Sequence, residues 1–312
     1  MINFAKNIIT LFNMKKIFLI TMLMCFAYSV SAQKNNEKTG ALLWKISGNG
    51  LKQPSYIFGT HHLFPLTFLD SVAGVKKAFY SCNQMVGELI MDDMNALAAE
   101  TQKAGMMPQD TTWQMLLSDE DYNFVDEQLT AIFGAGIQAF GVLKPAMVNM
   151  IYAVSFFQKT FPEVKQDEVF DIWFQQQAVK KGVAVIGLET VQDQTKALFE
   201  SVSLQQQANG LVCMLKNPEK MELSAKKLNS LYRTADLKSF SKMLHEDDTC
   251  PYSTEEQIAL IDMRNKKWLQ KLPAIMAGKS SFIAVGCMHL VGETGLLIGL
   301  ERLGYTVKAV VK

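Results

Sequence analysis

Four short apolar runs, spread along the chain and separated by long helical stretches, set the fold class. "PSYIFGT" (54–60), "QMVGELIM" (84–91), "VAVIGLET" (183–190) and "SFIAVG" (281–286) are rich in β-branched and aromatic residues and carry glycine at or near their ends. Runs of that length and composition read as buried strands, and helical segments between them act as crossovers. The pattern therefore predicts an α/β architecture around a mainly parallel or mixed sheet. "ALLWKIS" (41–47) adds a strand beside 54–60 across the turn-rich "GNGLKQ", and "YTVKAVV" (305–311) closes the chain as another. Ser118 opens a helix with acids in its first turn, and "DEVFDIWFQQQAVKKG" is a helix that ends on Gly182 as a C-cap. The helical stretch from about 95 to 182 predicts an insertion or cap over the sheet, within a single domain spanning 33–312.

The first 32 residues read as a signal peptide. Lys15 and Lys16 precede an uncharged run from Ile17 to Val30, and Val30-Ser31-Ala32 supplies the small residues of a cleavage site after Ala32. The expected location is periplasmic or secreted. The run is short for a membrane span and polar residues follow it, so the mature chain is expected to have no stable span. Met24 before Cys25 argues against a lipoprotein. The leader takes Lys6, Lys15 and Lys16 out of 31 basic residues against 30 acidic ones, leaving a balance of about −2. With no basic block, nothing points to nucleic acid. Cys82, Cys213, Cys250 and Cys287 remain, enough for one or two disulfides in an oxidising compartment, with the pairing open.

Polar residues stand where the runs end. "YIFGTHHLF" (56–64) and "FIAVGCMHLVG" (282–292) share an apolar run, then Gly-x-x-His-Leu, which places His62 and His289 alike. Glu88 interrupts 84–91 and Glu189 ends 183–190. Ligands of open α/β sheets bind in the crevice beyond the carboxyl ends of the strands, so these four side chains are expected to converge there. Two neutral imidazoles and a carboxylate suit a divalent ion such as Mn²⁺, Co²⁺ or Zn²⁺ with open positions for water. Such an ion activates the water and polarises a carbonyl, while a second carboxylate takes the proton. Arg264, in the helix "IALIDMRNKKWLQKL", can stabilise an oxyanion or hold a substrate carboxylate.

Plainer readings compete with each of these. His289 alone reads as a hydrogen-bonded strand-end histidine, Glu88 as half of an ion pair, Glu189 as a cap for the helix in "TVQDQTKALFE", and Arg264 as a surface cation paired to Asp262 or Glu301. His61 reads as strand-end packing and His245, within "HEDD", as surface. The 18 methionines are scattered, as packing residues are. Motifs of other site types are absent: there is no HExxH, GxSxG, Walker or GxGxxG pattern. Cys287, two residues before His289, would share a face with it on extended backbone, which does not guarantee the contact a thiolate nucleophile needs.

An ordered set of segments resembles the TraB/GumN/PrgY family, which includes the Tiki metalloproteases. The set runs through "GTHH", "VGELIMD", "TTWQMLLSDEDY", "KPAMV", "QQQAVKKGVAVIGLETVQDQ", "LYRTADL", "MRNKKW" and "FIAVGCMHLVGETGLL". The paired Gly-x-x-His motifs fall on Gly59 with His62 and Gly286 with His289, the strand glutamate on Glu88, the Leu-Glu-Thr motif on Leu188 to Thr190, and the Arg-Asn pair on Arg264 and Asn265. Two positions depart from the pattern. Val169-Phe170-Asp171 replaces a Gly-x-Asp, and Ala235 stands where a glycine follows Tyr-Arg-Thr.

The resemblance implies a fold similar to the erythromycin-esterase and ChaN-like group and a metal-dependent hydrolase, with a peptide or protein as substrate. On this reading His62, Glu88 and His289 hold the metal, Glu189 is general base or orienter, and Arg264 steadies negative charge. The alternative is a protein that binds a peptide or a small ligand such as haem without turnover, as family members linked to pheromone shutdown suggest.

Overall fold

Six strands form one mixed sheet in the computed structural model, which describes residues 40–61, 64–164, 169–246, 250 and 253–311. The leader and His62 lie outside the described residues. The strands are β1 (Leu43–Ser47), β2 (Ser55–Thr60), β3 (Gln84–Gly87), β4 (Ala184–Gly187), β5 (Ser281–Gly286) and β6 (Thr306–Ala309), in the order β4-β3-β5-β2-β1-β6. β2, β5, β3 and β4 are mutually parallel, while β1 runs antiparallel to β2 and to β6. The chain is an α/β protein with a mixed sheet, and the β1–β2 pair forms across the "GNGLKQ" turn as its composition suggests.

The parallel strands are buried because helices pack on them. Phe58, Phe282, Ile283, Ala284 and Val285 belong to one continuous core with Phe170 and Phe174 of helix Phe170–Lys181, Tyr232 of helix Pro218–Arg233, and Trp268 and Leu272 of helix Met263–Gly278. A second apolar cluster is built mainly by helices. Val125 and Leu129 of helix Asp119–Phe133 meet Val148 and Ile151 of helix Pro145–Thr160 and Leu211 and Leu215 of helix Leu204–Lys216. The stretch from 95 to 182 thus divides. Most of its helices build the second cluster, while Phe170–Lys181 lies on the sheet because Phe170, Phe174 and Ala178 share one face at helical spacing.

Local chemistry explains the helix ends near the sheet. Ser118 accepts from the Asp121 N–H and caps its helix, and Gly182 ends Phe170–Lys181 in the left-handed region. Thr190 and Asp193 form a capping box at helix Val191–Phe199. Cys213 and Cys250 are disulfide-bonded, whereas Cys82 and Cys287 are buried and lie outside that disulfide. Among the described residues no helix is long and apolar enough to cross a membrane.

Candidate functional site

The carboxyl ends of the parallel strands deliver buried polar side chains to one place. Strand β3 stops at Gly87, so Glu88 is not inside a strand as its apolar neighbours suggest but is the first residue beyond it. The chain keeps pairing there through backbone alone, with Leu188 N–H on Gly87 O at 2.9 Å and Glu189 N–H on Glu88 O at 3.0 Å. His289 ends a single 3-10 turn, Cys287–His289, immediately after β5. Arg264 and Asn265 open helix Met263–Gly278, just after a π turn at Ile258–Asp262, an irregularity often found at functional sites.

Arg264 is the hub. Its Nε donates to Glu189 Oε2 at 3.0 Å and Oε1 at 3.2 Å, and its Nη2 donates to Glu189 Oε1 at 2.7 Å and to Glu88 Oε2. Its Nη1 donates to Leu260 O at 2.9 Å and lies 3.1 Å from His289 Nε2. Glu88 Oε1 accepts the Gly286 N–H at 2.8 Å and stands 3.9 Å from His289 Nε2. Asn265 Oδ1 is 2.7 Å from His289 Nδ1, and its Nδ2 donates to His289 O at 3.2 Å and Thr294 O at 3.0 Å. An amide oxygen can only accept, so Nδ1 carries the ring proton and Nε2 presents its lone pair to Arg264. Trp268 underlies the site, with its ring 4.3 Å from the imidazole and 4.8 Å from the guanidinium carbon.

All of these groups are shielded from water: Glu88 and His289 are 3 % exposed, Arg264 7 % and Glu189 8 %. Burial pushes the Glu88 carboxyl above the usual carboxylate range, opposed by Arg264 and reinforced by the charges of Glu189 and Asp171. Burial, with help from Arg264, holds the His289 imidazole well below its ordinary value, so it is neutral. Asp171, in the first turn of helix Phe170–Lys181, accepts from the Thr60 hydroxyl at 3.2 Å, and burial raises its carboxyl to about 7.

The structure thus brings together Glu88, Glu189, Arg264 and His289, while His62 lies outside the described residues. Two plainer readings are overturned. Arg264 is not a surface cation paired to Asp262 or Glu301 but the buried partner of both glutamates. Glu189 is not the cap of helix Val191–Phe199, because Thr190 fills that place. His61 is strand-end packing, its ring 4.9 Å from Tyr232 and 5.5 Å from Phe64. Of the paired glycines, Gly59 has a packing role. A Cβ on Gly59 would stand 2.8 Å from Leu290 Cδ1 and 3.0 Å from Cys287 Cβ, so its bareness lets the turn bearing His289 settle onto β2. Reading from residue patterns alone missed Asp171, although a lone acid within the apolar "VFDIWF" was a visible signal, and it placed Asn265 only through resemblance.

The donor set can be tested against a divalent ion. Among the described residues no three His, Cys, Asp or Glu side chains gather closely enough to hold one. Two donors suit it all the same: a neutral imidazole whose outer nitrogen is fixed by Asn265, as metal-bound histidines usually are, and a carboxylate 3.9 Å away. The charge also fits, because two buried carboxyls, Glu88 and Glu189, share one guanidinium, and a third, Asp171, is near enough to act on Glu88. Such an excess calls for protons or a cation.

Fold and site together define an α/β protein with a closed ionic cluster at the carboxyl ends of its parallel strands. The chain belongs to the TraB/PrgY/gumN family, whose model matches residues 42–309. No curated protein and no solved structure matches it, so the likeness to the erythromycin-esterase and ChaN-like group rests on the family resemblance alone.

Proposed function

We propose that the cluster at the strand ends is the centre of a metal-dependent hydrolase acting on peptide bonds outside the cytoplasm. The observation that carries this reading is the neutral His289, oriented by Asn265 with its Nε2 lone pair beside Glu88, in a buried site with more carboxyls than cations. His289 Nε2 and Glu88 would hold the ion, with His62 joining them on the strength of the repeated Gly-x-x-His pattern. A Mn²⁺, Co²⁺ or Zn²⁺ ion there would acidify a bound water and polarise the substrate carbonyl. An ion on that lone pair would take the place of the Arg264 Nη1 contact, and the guanidinium would keep its anchors through Nε and Nη2 on Glu189. It is then placed to steady negative charge on the substrate. Because Glu189 grips Arg264 through both oxygens, orienting that residue suits it better than proton transfer. The Cys213–Cys250 disulfide agrees with an oxidising compartment and an export leader.

One observation favours the second reading, a protein that binds a peptide or small ligand without turnover: the ionic cluster is already closed upon itself through Arg264. Incubating the purified protein with a peptide library and Mn²⁺ or Co²⁺ separates the two. Hydrolysis predicts cleavage that disappears in Glu88→Ala and His289→Ala. Peptide binding by the wild type with no cleavage under any of these ions would overturn it.

A further inference from the structure

Helix Phe170–Lys181 touches the ends of two neighbouring segments of the site through side chains one turn apart. Asp171 receives the Thr60 hydroxyl at 3.2 Å, and Thr60 is the last residue of β2. Gln175 clamps the chain leaving β3: its Nε2 donates to Leu89 O at 2.8 Å and its Oε1 accepts the Met91 N–H at 2.8 Å. Both side chains are buried, Asp171 3 % and Gln175 6 % exposed. The seat of Gln175 is built into the sequence, because a Cβ on Gly87 would lie 3.0 Å from Gln175 Nε2 and 3.2 Å from Leu89 O. Glu88 therefore sits between a glycine that admits the amide and a backbone pair that the amide holds. Thr60 in turn lies opposite Gly286, whose N–H holds Glu88.

We infer that Asp171 and Gln175 are positioning residues that hold the ends of β2 and β3 at a fixed spacing and thereby aim Glu88 into the site. A partner on each strand end, spaced i and i+4 on one helix face, makes the helix a common reference for both. The same pair explains why an acid and an amide occupy the buried face of a helix otherwise packed by Phe170, Phe174 and Ala178. What Glu88 is aimed at depends on the metal reading above, whereas the spacing itself does not, and the experiment keeps the two apart.

The test compares the wild type with Gln175→Met, Gly87→Ala, Asp171→Leu, Thr60→Val and Asp171→Asn. Hydrogen–deuterium exchange of the metal-free protein is measured first, then Co²⁺ affinity and the Co²⁺ absorption spectrum. Gln175→Met and Gly87→Ala should speed exchange around Met91 at least about tenfold, and Asp171→Leu and Thr60→Val should do so at the end of β2. All four should weaken Co²⁺ binding about tenfold or more and alter its spectrum, as loss of outer-shell partners does. Asp171→Asn, which keeps an oxygen for Thr60, should retain the wild-type exchange pattern. Thr60→Val and Gly87→Ala carry the test if the larger substitutions do not fold. Unchanged exchange at both strand ends in the folded variants overturns the inference, as does wild-type Co²⁺ affinity and spectrum in Gln175→Met. A wild type that binds no Co²⁺, with the expected exchange changes in the variants, removes the metal reading and supports the positioning role.

Discussion

The two ends of the parallel strands are equally buried and chemically opposite. At the amino ends Gln84, Ser55 and Ser281 form a neutral network: Gln84 Nε2 donates to Ile275 O at 2.9 Å and Ser281 Oγ at 2.8 Å, and the Ser281 N–H donates to Ser55 Oγ at 3.0 Å. At the carboxyl ends the buried groups are Glu88, Glu189, Arg264, His289 and Asp171. A neutral network satisfies buried backbone and hydroxyl groups at little risk, whereas charged groups are expensive to bury even when paired. A fold needs the first kind to close its sheet; nothing in packing requires the second. On the proposed function, the charged end is where the chemistry lies.

The largest expected effect lies at the charged end. Arg264→Met leaves Glu88 and Glu189 buried without their cation and should lower stability at neutral pH by about 3–5 kcal/mol, measured by urea unfolding. The loss should shrink as pH falls and Glu88 takes up a proton. A loss under about 1 kcal/mol would mean that water reaches these carboxylates, against their burial.

Asp171 gives a pH signature of comparable size. Its carboxyl titrates at about 7 when folded, against the ordinary 3.8. Between those values the unfolded chain releases a proton that the folded chain keeps, so this contribution is complete below the lower value and lost as pH rises to the upper one. Asp171→Asn should remove that slope, gaining on the wild type by up to about 4 kcal/mol as pH rises from 3.8 to about 7. His289 acts with the opposite sign. Its folded value lies well below the ordinary 6.5, so its contribution is present above 6.5 and declines as pH falls. Unfolding curves of the wild type, Asp171→Asn and His289→Gln across this range separate the two, and an unchanged slope in Asp171→Asn would refute the assignment.

At the neutral end the effect should be smaller. Gln84→Met keeps the volume but strands the acceptors on Ile275 and Ser281, at a cost of about 1–3 kcal/mol, with the pH dependence unchanged. A pH-dependent loss there would blur the division between the two ends. Smallest is Ala235→Gly. Ala235 has φ 55°, a left-handed conformation that costs an L-residue about 1 kcal/mol, so glycine should raise stability by up to that amount.

Legibility in the sequence follows the range of the interactions. The strands were visible because apolar runs and glycines are local signals, and Ala235 drew notice because a glycine is usual there. Glu88, Glu189 and His289 could be placed because each lies within three residues of a strand end. Arg264 was named for the site, but its pairing with both glutamates was not legible, because it meets Glu88 across 176 positions and a helical surface pattern fits many cations. Separation along the chain likewise concealed the Asn265 bond to His289, 24 positions apart, and the Thr60 bond to Asp171, 111 positions apart. The helical stretch from 95 to 182 looked uniform because its helices share one periodicity; only the packing of Phe170 and Phe174 separates the last of them.

The central claim is that the charged end binds a divalent ion through His289 and Glu88. Calorimetric titration of the metal-free wild type with Mn²⁺ or Co²⁺, alongside His289→Ala and Glu88→Gln, tests it most directly. The account predicts one equivalent bound at micromolar concentration or tighter, with affinity rising as pH rises because the ion and a proton compete for Glu88. It also predicts that binding disappears in both variants. A wild type that takes up no ion, or variants that bind as the wild type does, would contradict it.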